Sequence, residues 1–130
     1  MAAIAEIATA HPFDDKINDR RRNRILNMLE WLEPWSPIDD EKRHRELEAE
    51  LAREIGVDHV LHGIPATAIG QRADQDDVLF LLEDGRVAEV HLTWRGSTEI
   101  DEIWPRTMIY ASREVWAELS MKRHHDDFTN

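Results

Sequence analysis

The sequence predicts an α+β domain in which an antiparallel four-stranded meander carries helices packed on one face. Alternating apolar residues surround the dipeptide Asp84-Gly85, and such dipeptides favour hairpin turns because they tolerate positive φ. Three other segments repeat apolar residues at helical spacing. Strands that follow one another after brief turns pair as antiparallel neighbours. The predicted order of elements is therefore ααββββα.

Two helices are predicted before the strands. The first spans about Asp14–Glu33 and stops at Pro34, because proline cannot continue a helix. The second takes Ser36 as its N-cap and Pro37 as its first residue, and it ends at Gly56 in the left-handed conformation. The residues expected to face inward from these helices are Ile25, Met28, Leu29, Leu32, Leu47, Leu51 and Ile55.

Four strands and a last helix complete the prediction. Gly63 and Pro65 interrupt the segment His59–Ile69, so it is assigned to an edge or bent strand, since proline cannot donate to a ladder. The other expected strands are Val78–Glu83, Arg86–Arg95 and Arg106–Tyr110. Ser112 is expected to cap a helix over about Arg113–Lys122. The residues expected to face inward from this helix are Val115, Trp116 and Leu119.

Length and composition indicate one domain over residues 1–130, with 1–13 and 123–130 expected to fray. The chain has no cysteine, which excludes disulfides and thiolate chemistry. No stretch reaches the ~18 apolar residues of a membrane span, and the N-terminus lacks the basic region of a signal peptide. A cytoplasmic location without membrane contact is therefore expected.

The charge of the chain is unevenly distributed. Its formal net charge is −11, and residues 1–24 hold five bases and four acids, which sum to +1, so the remainder carries −12. An acidic body repels nucleic acid, because phosphate neutralisation dominates that affinity. It attracts a basic protein and speeds their encounter. Solubility alone is the alternative explanation.

The hairpin register predicts which side chains face outward. With Asp84-Gly85 as a two-residue turn, Leu82 lies opposite Val87 and Phe80 lies opposite Glu89. Side chains alternate along a strand, so each face can be listed. Leu79, Leu81, Ala88, Val90, Leu92 and Trp94 are expected toward the helices, and Val78, Phe80, Leu82, Val87, Glu89, His91, Thr93 and Arg95 outward.

The outward face is expected to bind a partner. Phe80, Leu82 and Val87 form an apolar patch rimmed by charge, a composition typical of binding surfaces. Three alternatives remain open: the first strand covers the patch, the N-terminal segment covers it, or two copies of the chain pair through it as a homodimer. The other expected partner contacts are Asp74, Asp76, Asp101, Glu102 and Trp104.

His91 beside Glu89 is the best candidate for catalysis, because a carboxylate on the same strand face can support a histidine general base. No serine or cysteine nucleophile is placed by the sequence, and phosphate-loop and metalloenzyme motifs are missing. His59 and His62 would point to opposite sides of a strand. We therefore expect no metal and no cofactor. A small enzyme or ligand-binding domain with a pocket at His91 is the alternative function.

The segment Val90–Trp94, then Trp104-Pro105, then a helix with Trp116 resembles a family of small acidic bacterial proteins over about residues 58–128. The size, acidity and α+β pattern are also similar in general character to immunity proteins that neutralise bacterial toxins. That resemblance implies a non-enzymatic immunity or antitoxin-type protein whose acidic surface occludes a basic toxin. No contact residue is carried over from it.

Overall fold

The computed structural model describes residues 30–95, 98 and 103–130. Within these residues five antiparallel strands form one sheet, whose spatial order is the chain order. The strands are β1 Trp35–Pro37, β2 Ala66–Arg72, β3 Asp77–Leu82, β4 Val87–His91 and β5 Arg106–Tyr110. The α+β class and the antiparallel meander are confirmed, whereas the predicted number of strands is wrong by one.

Two helices accompany the sheet in the described part of the chain. Helix α1 is Glu41–Glu54. Helix α2 is continuous and comprises an α-helical turn, Arg113–Trp116, a π-helical turn, Ala117–Met121, and an α-helical segment, Lys122–Thr129. Neither helix is long and apolar enough to cross a membrane. Most of the predicted first helix lies outside the described residues, and residues 30–33 are not helical.

The predicted start of the second helix is wrong, because Ser36 and Pro37 belong to β1. Asp40 caps α1 instead, and its side chain accepts a hydrogen bond from the Lys42 amide. Pro37 is tolerated in β1 because this strand lies at the sheet edge. The helix ends at Ile55 in extended backbone, so the left-handed ending expected at Gly56 is also wrong.

The segment after α1 forms turns before it becomes a strand. β2 begins at Ala66, after Pro65, and it pairs with both β1 and β3, so the prediction of an edge strand is wrong, and the alternative of a bent strand stays open. The register with β3 shifts between Ala68 and Gly70. The His59 ring stabilises the preceding turns, since its Nδ1 accepts a hydrogen bond from the Leu61 amide at 3.0 Å.

The β3–β4 hairpin differs from the prediction by one residue. The Leu82 amide donates to the Arg86 carbonyl, so the loop holds three residues, 83–85, and Gly85 takes the left-handed conformation with φ of 93°. A slip of one residue changes every cross-strand pair. Phe80 therefore lies opposite Ala88, and Leu79 lies opposite Glu89.

Helices cover both faces of the sheet, which corrects the prediction of one covered face. The first core lies under α1 and includes Leu47, Leu51, Val78, Phe80, Leu82, Ala88 and Val90. The second core lies under α2 and includes Trp35, Ile69, Leu79, Val87, Trp116 and Met121. The prediction that Phe80, Leu82 and Val87 form an exposed patch is wrong, because their exposed fractions are 0%, 2% and 0%. Because these three side chains are buried, two copies of the chain cannot pair through them as a homodimer.

The C-terminal helix extends beyond its predicted end. Ser112 is the cap that was predicted, and its hydroxyl accepts the Val115 amide at 3.2 Å. Residues 123–129 are helical. Trp116 is buried as expected, but Leu119 is exposed. The π-helical turn widens the spacing of the helix, and the buried positions fall at Ser120 and Met121.

Candidate functional site

A cleft of about 630 Å³ opens on the α2 side of the sheet, near the ends of β4 and β5. The strand register builds it from two rows of facing residues. Asp77, His91 and Arg106 form one row across β3, β4 and β5, and Leu79, Glu89 and Met108 form the next row. The first row is wholly polar, and all three of its side chains line the cleft.

Asp77 holds the ring of His91. Asp77 Oδ1 lies 2.5 Å from His91 Nδ1. The other carboxylate oxygen, Oδ2, lies 3.5 Å from Arg72 Nη1. Asp77 is buried, whereas the side chain of His91 is 42% exposed. A carboxylate on Nδ1 orients the imidazole and leaves Nε2 for a ligand or a proton. This Asp77–His91 pair, the dyad, is thus contacted by Arg72 at Asp77 and is open to the cleft at His91.

Glu89 is fixed by α2 and not by His91. Its Oε1 accepts hydrogen bonds from Trp116 Nε1 at 2.8 Å and from Ser120 Oγ at 2.6 Å. Glu89 and His91 share a face, as the sequence predicts, and both line the cleft. Sequence reasoning missed Asp77 as the histidine's partner, because the predicted register places Val78 opposite His91. A three-residue loop that ends at Gly85 in the left-handed conformation is the alternative hairpin that pairs Asp77 with His91.

Arg106 and Trp104 form another wall of the cleft. The Arg106 guanidinium lies 5.3 Å from the centroid of the Trp104 ring, a distance suited to a cation–π contact. Trp104, expected as a partner anchor, is half-buried here. Among the described residues no carboxylate forms an ion pair with Arg106. The cleft rim adds Ile103 and Met108, which are 57% and 60% exposed.

Two of the remaining predicted contacts, Asp74 and Asp76, lie in the turn between β2 and β3. Asp74 pairs with Arg72 through two hydrogen bonds of 2.9 Å, which hold the pKa of this carboxyl below its usual value. Asp76 is exposed in the β2–β3 turn beside the cleft. Asp101 and Glu102 lie outside the described residues. The structure therefore brings Glu89, His91 and Trp104 together in the cleft, which Asp74 and Asp76 do not line.

No group of three or more histidine, aspartate or glutamate side chains is arranged to hold a metal ion in residues 30–95, 98 and 103–130. His59 and His62, the two histidines considered as metal ligands, differ in their burial. The His59 ring is buried, with Nε2 2.9 Å from the Pro105 carbonyl oxygen. His62 is exposed in the following turn. His59 therefore ties the turns after α1 to the start of β5.

A pair of buried carboxyls on α1 forms a second titratable cluster that sequence reasoning missed. Glu50 and Glu54 lie one helical turn apart and are 2% and 0% exposed. The two oxygens of Glu54 accept the amides of Thr93 and Trp94 at 2.8 Å each. Burial raises the pKa of Glu54, and a hydrogen bond with Glu50 raises it further, against the opposing effect of the two amides. This cluster anchors the chain segment that leaves β4.

No protein-family model, no curated protein and no solved structure matches the chain. The resemblance to immunity proteins therefore gains no support from a matched relative.

Proposed function

We propose that the protein binds a small ligand in the cleft around His91. The observation that carries this proposal is the polar row Asp77–His91–Arg106, which opens into a cavity of about 630 Å³. That volume is in the range of pockets that hold small molecules. Convergent polar groups on an otherwise apolar wall are typical of such sites. Here Trp104 and Met108 supply the apolar part of the wall.

The chemistry supports binding more strongly than catalysis. His91 Nε2 can accept or donate a hydrogen bond, and a histidine held by a carboxylate can also act as a general base. Covalent catalysis needs an activated nucleophile beside that base. Among the described cleft residues Thr107 carries the one hydroxyl, and it donates to the Pro105 carbonyl at 2.9 Å. The proposal is therefore recognition of a ligand without a covalent step.

A ligand screen by NMR tests this function. Compounds that bind the cleft are expected to shift the imidazole signals of His91, which the variant His91→Gln assigns. Affinity should fall at least about tenfold in that variant, the loss expected for one good polar contact. The variant His62→Gln is the control, because His62 is exposed and does not line the cleft. Compounds that bind His91→Gln as tightly as wild type would contradict the proposal.

A second candidate function is the binding of a basic protein, of the immunity or antitoxin type. The observation that favours it is the net charge of −11 together with exposed Ile103 and Met108 at the cleft rim. These two residues replace the predicted apolar patch, whose members are buried. An apolar centre with a charged rim is typical of a protein interface. The cleft would then receive part of the partner's surface.

The product of the adjacent gene is the partner to test for the second candidate. Binding is expected to weaken as salt increases, because charge attraction is screened. The variant Met108→Asp should weaken it at least about tenfold, as expected for an interface anchor. The variant Val57→Asp is a control, since Val57 is 76% exposed and does not line the cleft. An affinity that changes neither with salt concentration nor in Met108→Asp would reject this candidate.

A further inference from the structure

We infer that the cleft recognises an oxyanion, the carboxylate or phosphate group of a small ligand, between His91 and Arg106. This inference rests on the proposed ligand-binding function. His91 on β4 and Arg106 on β5 are directly opposite in the register. Opposite residues of antiparallel strands share a face, and their Cβ atoms lie about 5 Å apart. Both side chains line the cleft, so a bound group can contact both at once.

His91 presents one defined atom to this position. Its Nδ1 is engaged by Asp77 Oδ1, so Nε2 is the ring nitrogen left for a ligand. An imidazolium donates from both nitrogens and can therefore serve Asp77 and an oxyanion together. Arg72 lies 3.5 Å from the second oxygen of Asp77, but its shorter contacts are to Asp74. An imidazolium at His91, and not Arg72 alone, would therefore offset the charge of Asp77 when an anion binds.

Arg106 supplies the second donor group. Its guanidinium is held over the Trp104 ring, which leaves the N–H groups at its edge for an acceptor. An arginine donates two parallel hydrogen bonds to a carboxylate or a phosphate, and such bonds are stronger than neutral ones. Among the described residues no carboxylate pairs with this guanidinium.

Negative charge near the site limits which anions fit. Glu89 lies two residues along β4, about 7 Å from the position of His91, and its Oε1 is bonded to α2. The charged side chains that line the cleft with His91 are Asp77 from β3, Glu89 from β4 and Arg106 from β5. Arg72 on β2 and His124 on α2 interact with Asp77. Small anions of low charge are expected to bind, whereas nucleic acid and polyphosphates are repelled by the net charge of −11.

Titration with inorganic phosphate, with acetate and with choline at constant ionic strength tests the inference. Saturable shifts of the His91 imidazole and Arg106 guanidinium signals are expected with an anion and not with choline. If acetate binds more tightly the ligand group is a carboxylate, and if phosphate does it is a phosphate.

Variants separate the site from general charge effects. Arg106→Gln should abolish anion binding and Arg106→Lys should retain part of it, whereas Arg86→Gln, at the hairpin turn, should leave it unchanged. Dispersed amide spectra confirm that each variant is folded. If neither anion shifts His91, or if the shift survives in Arg106→Gln, the inference is wrong. In that event a neutral or cationic ligand that depends on His91 would still uphold the proposed function, whereas no such ligand would reject both.

Discussion

Asp77 is a positioning residue, because it contacts the ring of His91 and the guanidinium of Arg72 from a buried place on β3. The variant Asp77→Asn keeps the size of the side chain and removes its charge. A tautomer mixture at His91 is expected, because an amide can donate or accept at Nδ1. Stability should fall by about 1–3 kcal/mol, as expected when a buried charged partner is removed.

Nitrogen NMR of the imidazole and urea unfolding measure the two effects of Asp77→Asn. The matched control is Asp74→Asn, which removes a more exposed partner of the same arginine. Its loss of stability should stay below about 1 kcal/mol. An unchanged tautomer at His91 in Asp77→Asn would show that the carboxylate does not orient the ring.

The Glu50–Glu54 pair makes stability depend on pH. Since the pKa of Glu54 is raised by burial and by Glu50, the folded chain binds this proton more tightly than the unfolded chain. The free energy of unfolding should therefore decrease as pH rises from the ordinary glutamate pKa through the raised one. Glu50→Gln supplies a permanent N–H donor to Glu54, so this decrease should become smaller.

Urea unfolding from about pH 4 to about pH 8 measures this pH dependence, since the window covers the ordinary glutamate pKa and values above it. Glu46→Gln is the control, because Glu46 is exposed on the same helix. Equal pH dependence in wild type and Glu50→Gln would show that the two carboxyls do not share a proton.

The face shared by Glu89 and His91 was predictable, whereas the partner of His91 was not. Residues two apart on a strand share a face whatever the register. A cross-strand partner changes with every one-residue slip. The predicted two-residue turn at Asp84-Gly85 pairs Val78 with His91. The observed three-residue loop pairs Asp77 with His91 instead.

At the scale of the element, the close approach of Trp31 to β2 explains a glycine. A Cβ on Gly70 would overlap the ring of Trp31, which packs against the second core. Gly70→Ala should therefore displace this ring and cost about 1–3 kcal/mol through overpacking. In a Trp31→Ala background the same change should cost much less, because the space is then free.

Urea unfolding of the four proteins in this double-mutant cycle measures the coupling between Gly70 and Trp31. A coupling of at least about 0.5 kcal/mol is expected for residues in contact. An equal cost of Gly70→Ala in both backgrounds would mean that another neighbour sets the need for glycine.

The strand β1 could not be predicted from local signals. Ser36-Pro37 is typical of a helix start, and Asp39 to Glu41 strengthen that interpretation. Pairing with β2 overrides it, because Trp35 lies opposite Arg72 and buries its ring in the second core. By contrast β5 was predicted with its observed bounds, since Trp104-Pro105 before it and Ser112 after it are strong local signals.

At the scale of the whole molecule, helices on both faces decide where a cleft can form. Helix α2 covers the apolar half of its face, over Leu79 and Val87, and leaves the polar row with Asp77 open. The sequence shows which residues are apolar, but it does not show that 123–129 continue the helix far enough to reach β1. The cleft was therefore predictable as an alternative at His91, but its walls were not.

The contact between His124 and Trp35 fastens the end of α2 to the edge of the sheet. Trp35 Nε1 donates to His124 Nδ1 at 3.1 Å, which requires an unprotonated Nδ1. Burial, and then the charge of Arg72, lower the pKa of His124. Between this lowered pKa and the ordinary histidine value the unfolded chain binds more protons, so this contribution to the free energy of unfolding increases with pH and is lost below the folded pKa.

The variant His124→Gln isolates the contribution of this contact, because a glutamine oxygen accepts the same hydrogen bond but does not titrate. The difference in unfolding free energy, wild type minus His124→Gln, should increase as pH rises from about 5 to about 7, around the ordinary histidine pKa. His62→Gln, at an exposed turn, is the matched control. The raised pKa of Glu54 makes the wild-type free energy of unfolding decrease with pH, which opposes the increase due to His124. The docking of α2 is therefore measured by the difference between wild type and His124→Gln, and not by the wild-type curve. A flat difference for His124→Gln would mean that the end of α2 is held without this hydrogen bond.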